Sequence, residues 1–243
     1  MKKIKACFDK YVMQFNISDK EIKEKYDHSY RVMDYSIAIA TSLNMSKEDI
    51  RVVAIAGLFH DIARFEQWIS FKTWQTKKSF DHGDRGYKIL KEGLIDNLVH
   101  DEQAKKIILL AVKNHNKYKV EDGLTEKQLL ISNIIRDADK IDIIQTQGII
   151  NKKYIIKDEL IECLFRHEMI NNNLIENDLD YLFRLVAFIF DLNFAYSYKY
   201  LLDKKIIENK ISLIEKYGNK NLESLKNDLI SYIKERRYVR KEI

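Results

Sequence analysis

Not one of the chain's 243 residues is proline, and only seven are glycine. Average usage of about 5% proline and about 7% glycine would give roughly 12 and 17 in a chain this long. These are the residues that punctuate turns, bulges and β-hairpins. Their scarcity disfavours an all-β sandwich and any fold built on glycine-rich phosphate loops. Base-composition bias shares in the deficit, because the chain is also loaded with Lys, Ile and Asn. Helical periodicity carries the rest. A hydrophobic content of 46% supplies enough apolar surface for a core, which argues against disorder. The expected fold class is all-α.

Helix starts can be read directly. Ser18-Asp-Lys-Glu21 and Thr125-Glu-Lys-Gln128 fit the capping box, in which a hydroxyl and a carboxyl or amide satisfy orphan backbone donors reciprocally. Ser46-Lys-Glu-Asp49 is a weaker relative, with acidic residues at the helix's positive end. After each comes an apolar stripe at helical spacing: Val32, Ser36, Ile39 and Leu43; Ile50, Val53, Ala54, Gly57 and Phe59; Leu130, Ile134, Ala138 and Ile141. A further helix is expected over Asp101 to His115. A long one spans about Asp178 to Glu215, its continuity left open, and the last runs from Leu222 to Arg237. Arg64 to Ser79 reads as the least periodic stretch, a loop carrying Trp68, Phe71 and Trp74 as core staples or as a substrate lid.

Other classes are disfavoured. The balance of 42 Lys and Arg against 37 Asp and Glu is mildly basic and spread out, which argues against a nucleic-acid partner. Cys7 and Cys163 form no CxxC pair, which points away from a disulfide framework or a zinc ribbon. The N-terminal MKKIKACFDKY lacks the apolar stretch of a signal peptide. Arg184, Asp191 and Lys199 interrupt the greasiest region, Tyr181 to Tyr200, too often for a membrane span. The expectation is a cytoplasmic protein without a membrane partner, with homodimer formation left open.

Histidine placement is the informative feature. Five of the six histidines lie between His28 and His115. His28 shares a helix face with Val32 and Ser36. His60 and Asp61 follow Leu58-Phe59 at a helix end, after the small residues Ala54, Ala56 and Gly57, which permit close packing of a neighbour. His82 sits in Asp81-His-Gly-Asp-Arg-Gly86, near a helix start, and His115 closes a helix in Asn114-His-Asn116. Asp139 falls on a buried face with Ile131 and Ile135. A carboxylate on such a face is expensive unless it is paired, hydrogen-bonded or metal-bound. Mixed histidine and aspartate shells suit borderline divalent metals such as Fe, Mn, Co, Ni or Zn. Neighbouring helical residues point about 100° apart, so His60 and Asp61 can share an ion only near the helix end.

The order His28, His60-Asp61, Asp139 resembles the HD-domain superfamily of metal-dependent phosphohydrolases. The resemblance covers roughly Tyr26 to Ile144 and is densest in Ala56-Gly-Leu-Phe-His-Asp-Ile-Ala-Arg64 and Arg136-Asp-Ala-Asp-Lys140. It implies that His28, His60, Asp61 and Asp139 bind a first metal. It further implies that His82 and His115 hold a second ion, with Asp61 bridging and magnesium an alternative in that position. It also implies a helical metal-binding body over 1–150 and a C-terminal helical extension over 151–243, packed on the same body. Arg64 and Lys140 are the nearest cations for phosphate charge, joined in catalysis by Asp61; Arg85 is a third candidate. His100 and His167 have no motif context and are read as surface residues. Asp191 either orients a ligand or pairs with Arg184 or another buried base. The basic run Lys234 to Lys241 reads as a helix C-terminus.

The expected activity is hydrolysis of a phosphate ester or anhydride, of a nucleotide in the leading reading, with no cofactor beyond metal. The cyclic-dinucleotide branch, which carries a Gly-Tyr-Pro segment, is excluded in a chain without proline. Two alternatives remain open: a mixed-valent di-iron oxygenase using the same six ligands, and a regulatory module whose metal is structural.

Overall fold

In a computed structural model, residues 1–146 and 150–238 are described, and every regular element among them is a helix. They fall into two compact units, one covering 1–139 and another beginning at Lys140. The first holds α1 (Lys2–Val12), α2 (Lys20–Ser42), α3 (Lys47–Phe59), α4 (Ile62–Phe71), α5 (His82–Ile89), α6 (Glu102–Asn114) and α7 (Glu126–Gln145) through Asp139. The second holds α8 (Asp158–Phe165), α9 (Asp178–Ala187), α10 (Ala195–Asp203), α11 (Ile206–Tyr217) and α12 (Glu223–Arg236).

Capping chemistry sets several of these boundaries. Thr125 and Gln128 form the reciprocal box expected of them: the Gln128 N–H donates to Thr125 Oγ1 at 3.3 Å, and the Thr125 N–H to Gln128 Oε1 at 3.0 Å. Ser46 accepts from the Asp49 N–H at 3.0 Å. At α2 the cap is Asp19, not Ser18; its carboxylate accepts from the Glu21 N–H at 2.9 Å. An acceptor one residue closer to the helix satisfies the same orphan donors.

The expected loop after Arg64 is helical as far as Phe71, where Lys72 closes α4 in the left-handed conformation at φ 50°. Only Ile62, Ala63, Phe65 and Gln67 of α4 are buried, while Ile69 and Phe71 stay exposed. Trp68, Ile69 and Phe71, three large apolar side chains outside the buried stripe, blur the period that normally betrays a helix. The Asp178–Glu215 stretch is broken: a 3-10 turn at Phe188–Asp191 and a left-handed Lys205 separate α9, α10 and α11.

In the first unit Phe8 from α1 meets Tyr26, Tyr30, Phe59 and Phe65, with ring centroids 5.5–6.0 Å apart. That aromatic cluster seals α1 onto α2, α3 and α4. Helices α2 and α3 approach closely at Gly57, where an added Cβ would lie 3.1 Å from the Met33 Cα and 2.7 Å from Ser36 Oγ. The second unit has its own core, built from residues such as Leu160, Phe183, Leu201, Ile211 and Leu229, all fully buried.

No helix among the described residues is long and apolar enough to cross a membrane. Cys7 and Cys163 are both free thiols.

Candidate metal centre

The six histidines and aspartates singled out in the sequence converge inside the first unit, and four of them stand at helix ends. His60 and Asp61 are the two-residue joint between α3 and α4, His82 opens α5, and His115 follows the last residue of α6. His28 projects from the middle of α2 and Asp139 from α7. The joint explains how neighbouring residues face one point. Asp61 leaves helical geometry (φ −100°, ψ 21°), so its side chain is freed from the 100° offset of a continuous helix.

Close approach of α2 and α3 at Gly57 brings His28 Nε2 to 3.1 Å from His60 Nε2. Asp139 Oδ1 lies 3.2 Å from the first and 3.6 Å from the second. Asp61 Oδ2 lies 3.5 Å from His28 Nε2 and 3.7 Å from His60 Nε2. Its other oxygen, Oδ1, is 3.5 Å from His82 Nε2 and 3.4 Å from His115 Nε2. One carboxylate therefore faces a different pair of imidazoles with each of its oxygens. Three groups, His28, His60 and Asp61; His60, His115 and Asp139; and Asp61, His82 and His115, each have ligand atoms within 4.8 Å of one another.

The donor chemistry fits a divalent metal. His60 Nδ1 donates to the Gly57 carbonyl at 2.8 Å and His115 Nδ1 to the Val112 carbonyl at 2.7 Å, both within their own last helical turn. A carbonyl can only accept, so in the neutral ring Nε2 is left with a lone pair facing the centre. Burial favours that neutral form: it pushes His60 below the usual histidine range, outweighing Asp61 and Asp139. Burial and then Arg64 push His82 well below the usual range. For the carboxylates, burial alone would favour protonation. Lys25 and Arg64 overcome it and hold Asp61 ionised, well below the carboxylate range; Asp139 is likewise held well below that range, with His28 as its hydrogen-bonding neighbour. Lone-pair nitrogens and ionised oxygens packed at 3–4 Å with so little solvent are the donor set a cation satisfies.

Surrounding residues fix the ligands in place. Arg136, buried, donates to the carbonyls of Asn114 and Lys117 on either side of His115, the former at 3.2 Å. Asn116 donates its amide to Asp81 Oδ1 at 3.0 Å and faces His82 Nδ1 at 3.3 Å. Lys117 pairs with Asp81 and Asp84 at 2.8 and 2.9 Å, tying the start of α5 to the end of α6. Lys25 Nζ reaches Asp61 Oδ2 at 2.9 Å. The sequence reading missed Lys25, Asn116 and Lys117, though Lys25 sits one helical turn before His28, a spacing that puts both on one face.

The other candidates are placed as follows. Arg64 Nε lies 3.5 Å from Asp61 Oδ1. Lys140 pairs with Asp191 at 2.8 Å, so Asp191 takes the ion-pair alternative, with a partner other than Arg184. Arg184 packs over Tyr181 and Phe188. Arg85 is bound to Glu66 at 2.9 Å and approaches Glu92 at 3.7 Å. His100 is exposed, and His167, also exposed, pairs with Asp228 at 2.9 Å. The basic run ends α12 at Arg236, and its residues 239–241 lie outside the described ones.

An all-α domain that gathers two aspartates and four histidines, four of them at helix ends, into a buried nitrogen and oxygen shell is a helical domain with the side chains to hold a metal. Residues 26–144 match the family model of the HD domain. No curated protein and no solved structure is significantly similar to the chain.

Proposed function

We propose that the protein is a metal-dependent phosphohydrolase cleaving a phosphate ester or anhydride, with nucleotides as the first substrate class. The observation that carries this reading is the two-sided engagement of Asp61: Oδ2 faces His28 and His60, and Oδ1 faces His82 and His115. In this reading His28, His60, Asp139 and Asp61 would hold one divalent ion, and His82, His115 and Asp61 would hold another. Iron, manganese, cobalt, nickel or zinc suits these donors, with magnesium an alternative in the second position. Such a centre supplies water that ionises near neutral pH and polarises a phosphoryl oxygen.

The chain's own residues do the rest. The Gly57 and Val112 carbonyls keep His60 and His115 in the tautomer whose Nε2 faces inward. Arg64, beside Asp61, is a cation within reach of charge developing on phosphate. Lys140 is a second candidate, and its ion pair with Asp191 would have to be shared with substrate. Residues 1–150 form the catalytic body in this reading and 151–243 a C-terminal helical extension. Two unpaired thiols fit a reducing cytoplasm.

The test is phosphate release from a panel of nucleotides and sugar phosphates by the full chain, loaded in turn with Mn, Fe, Co, Ni and Mg. Release from at least one substrate is expected, lost together with bound metal in Asp61→Ala. Oxygen uptake with a diol by anaerobically purified protein, without phosphate release from any substrate, would replace this reading with an oxygenase. Unchanged metal content and activity in Asp61→Ala would overturn both.

A further inference from the structure

Beside the metal ligands stands a group of side chains that the ligand set leaves unused. Lys25 Nζ is 2.9 Å from Asp61 Oδ2, and Arg64 Nε is 3.5 Å from Asp61 Oδ1, one cation at each oxygen of the same carboxylate. Arg64 Nε is fully buried yet has no hydrogen-bond partner. A buried donor without an acceptor costs about 1–3 kcal/mol, so a site that retains one has a use for it. The remainder of this guanidinium is fixed, with one nitrogen donating to Gln67 Oε1 at 2.6 Å and to the Trp74 carbonyl at 2.9 Å.

Trp74 touches both cations. Its ring lies 5.6 Å from Lys25 Nζ and 5.7 Å from the Arg64 guanidinium carbon, within cation–π range. The ring is itself held: it stacks on Trp68 at 4.8 Å, and its indole N–H donates to Glu21 at 3.0 Å. Trp68 in turn donates to Asp19 at 2.9 Å. The segment after α4 is thereby strapped to the first turn of α2, and the strap ends on the two cations.

Charge says what these cations would receive. Asp61 and Asp139 contribute two negative charges, and Lys25 and Arg64 two positive ones, so these four groups sum to zero. Any divalent ion added leaves at least two positive charges uncompensated. With the two ions of the proposed centre the excess is four, and a phosphate dianion offsets twice as much of it as a phosphodiester monoanion, while a neutral diol offsets none.

Resting on the phosphohydrolase reading, we propose that Lys25 and Arg64 form a clamp for a phosphate dianion, the terminal group of a phosphomonoester, with Trp74 as its positioning residue. Arg64 Nε–H and the Lys25 ammonium donate to phosphate oxygens. Trp74 fixes where both point.

The test is calorimetric titration of inorganic phosphate and of dimethyl phosphate into the manganese-loaded full chain, with metal content and thermal melting measured on each variant. Wild type binds inorganic phosphate at least tenfold more tightly than dimethyl phosphate. Lys25→Met weakens inorganic phosphate by about tenfold or more, the scale of one charge-assisted hydrogen bond. It retains its metal, and Lys25→Arg restores binding to within about threefold, the cation being kept. Trp74→Leu weakens phosphate while Trp74→Phe does not, and combining Trp74→Leu with Lys25→Met costs less than the product of the two. Unchanged phosphate affinity in metal-replete Lys25→Met, equal binding of the two anions, or strictly multiplicative Trp74 and Lys25 effects would each overturn the clamp. If Lys25→Met does not fold, Lys25→Arg and the Trp74 pair decide the matter alone. Binding is read without turnover, so phosphate captured through Lys25 with no hydrolysis of any ester rejects the enzyme reading and keeps the clamp. Hydrolysis that ignores Lys25 does the reverse.

Discussion

Replacing Gly57 by alanine tests whether helix spacing sets the metal centre. The new Cβ would lie 2.7 Å from Ser36 Oγ, 3.2 Å from Ser36 Cβ and 3.1 Å from the Met33 Cα. The hydroxyl can rotate away, but Met33 Cα belongs to the backbone of α2 and cannot. Relief to an ordinary carbon–carbon contact of about 3.7 Å requires α2 and α3 to separate by roughly half an ångström. Metal–ligand bonds tolerate about 0.2 Å. Overpacking costs about 1–3 kcal/mol, and the alanine returns about 1 kcal/mol of helix propensity. The expected result is therefore a small net loss of stability with a disproportionate loss of metal affinity, at least about tenfold. Competition with a fluorescent chelator reads the affinity, and denaturant melts of the metal-free protein read the stability. A Gly57→Ala variant that binds metal with wild-type affinity would refute the argument that this crossing sets the His28–His60 distance. A variant that fails to fold would refute the estimate of a small stability loss.

Other outcomes follow from neighbouring features. Ser36 Oγ is buried without a hydrogen-bond partner, so Ser36→Ala should be neutral or stabilise by about 1 kcal/mol in thermal melts; destabilisation beyond that would show an acceptor at work. Arg136→Ala removes the donor to the carbonyls flanking His115 and should cost about 2–4 kcal/mol, with Arg136→Lys recovering little because one ammonium cannot span them. Metal at a hundred times its Kd should stabilise the protein by about 2.7 kcal/mol, a gain that a chelator reverses and Asp61→Asn never shows. Lys210 lies buried against the Thr146 carbonyl, and burial lowers its ammonium to about 8. Below that pH both folded and unfolded chains are protonated and the burial penalty is felt in full. Between about pH 8 and 10.5 only the unfolded chain keeps the proton, so stability should rise, by roughly 2 kcal/mol after solvent screening. Denaturant midpoints across that window should be flat in Lys210→Met; an equal rise there would assign the effect to other groups.

Much of this was legible because the signals were local. The Thr125–Gln128 box, the Ser46 cap and the stripes of α2 and α3 each need only a few neighbouring residues, and the small residues before His60 already announced a close crossing. The six candidate ligands could be named because motif order survives in one dimension even though their convergence does not. What escaped depends on partners distant in sequence. Lys25 looks like any solvated lysine until Asp61 is folded beside it. Trp68 breaks the apparent period of α4 because its indole is wanted by Asp19, 49 positions away. Asn116 and Lys117 have meaning only against Asp81. The pairing of Asp191 with Lys140 required choosing among basic residues that no spacing rule distinguishes.

The spread of the ligands along the chain has a consequence for the order of events during synthesis. His28 is made early and Asp139 is the last residue of its compact unit, so the first histidine waits for more than a hundred residues before its aspartate emerges. A metal ion cannot staple a partial unit into shape, as it does in small zinc domains whose ligands lie within a few turns. Chain topology must bring α2, α3, α5, α6 and α7 together first, and the ion then selects the finished arrangement. Metal uptake at the proposed centre would thus be a receipt for completed folding of the unit that carries it, and a nascent chain that has lost its way would offer the ion no full set of ligands.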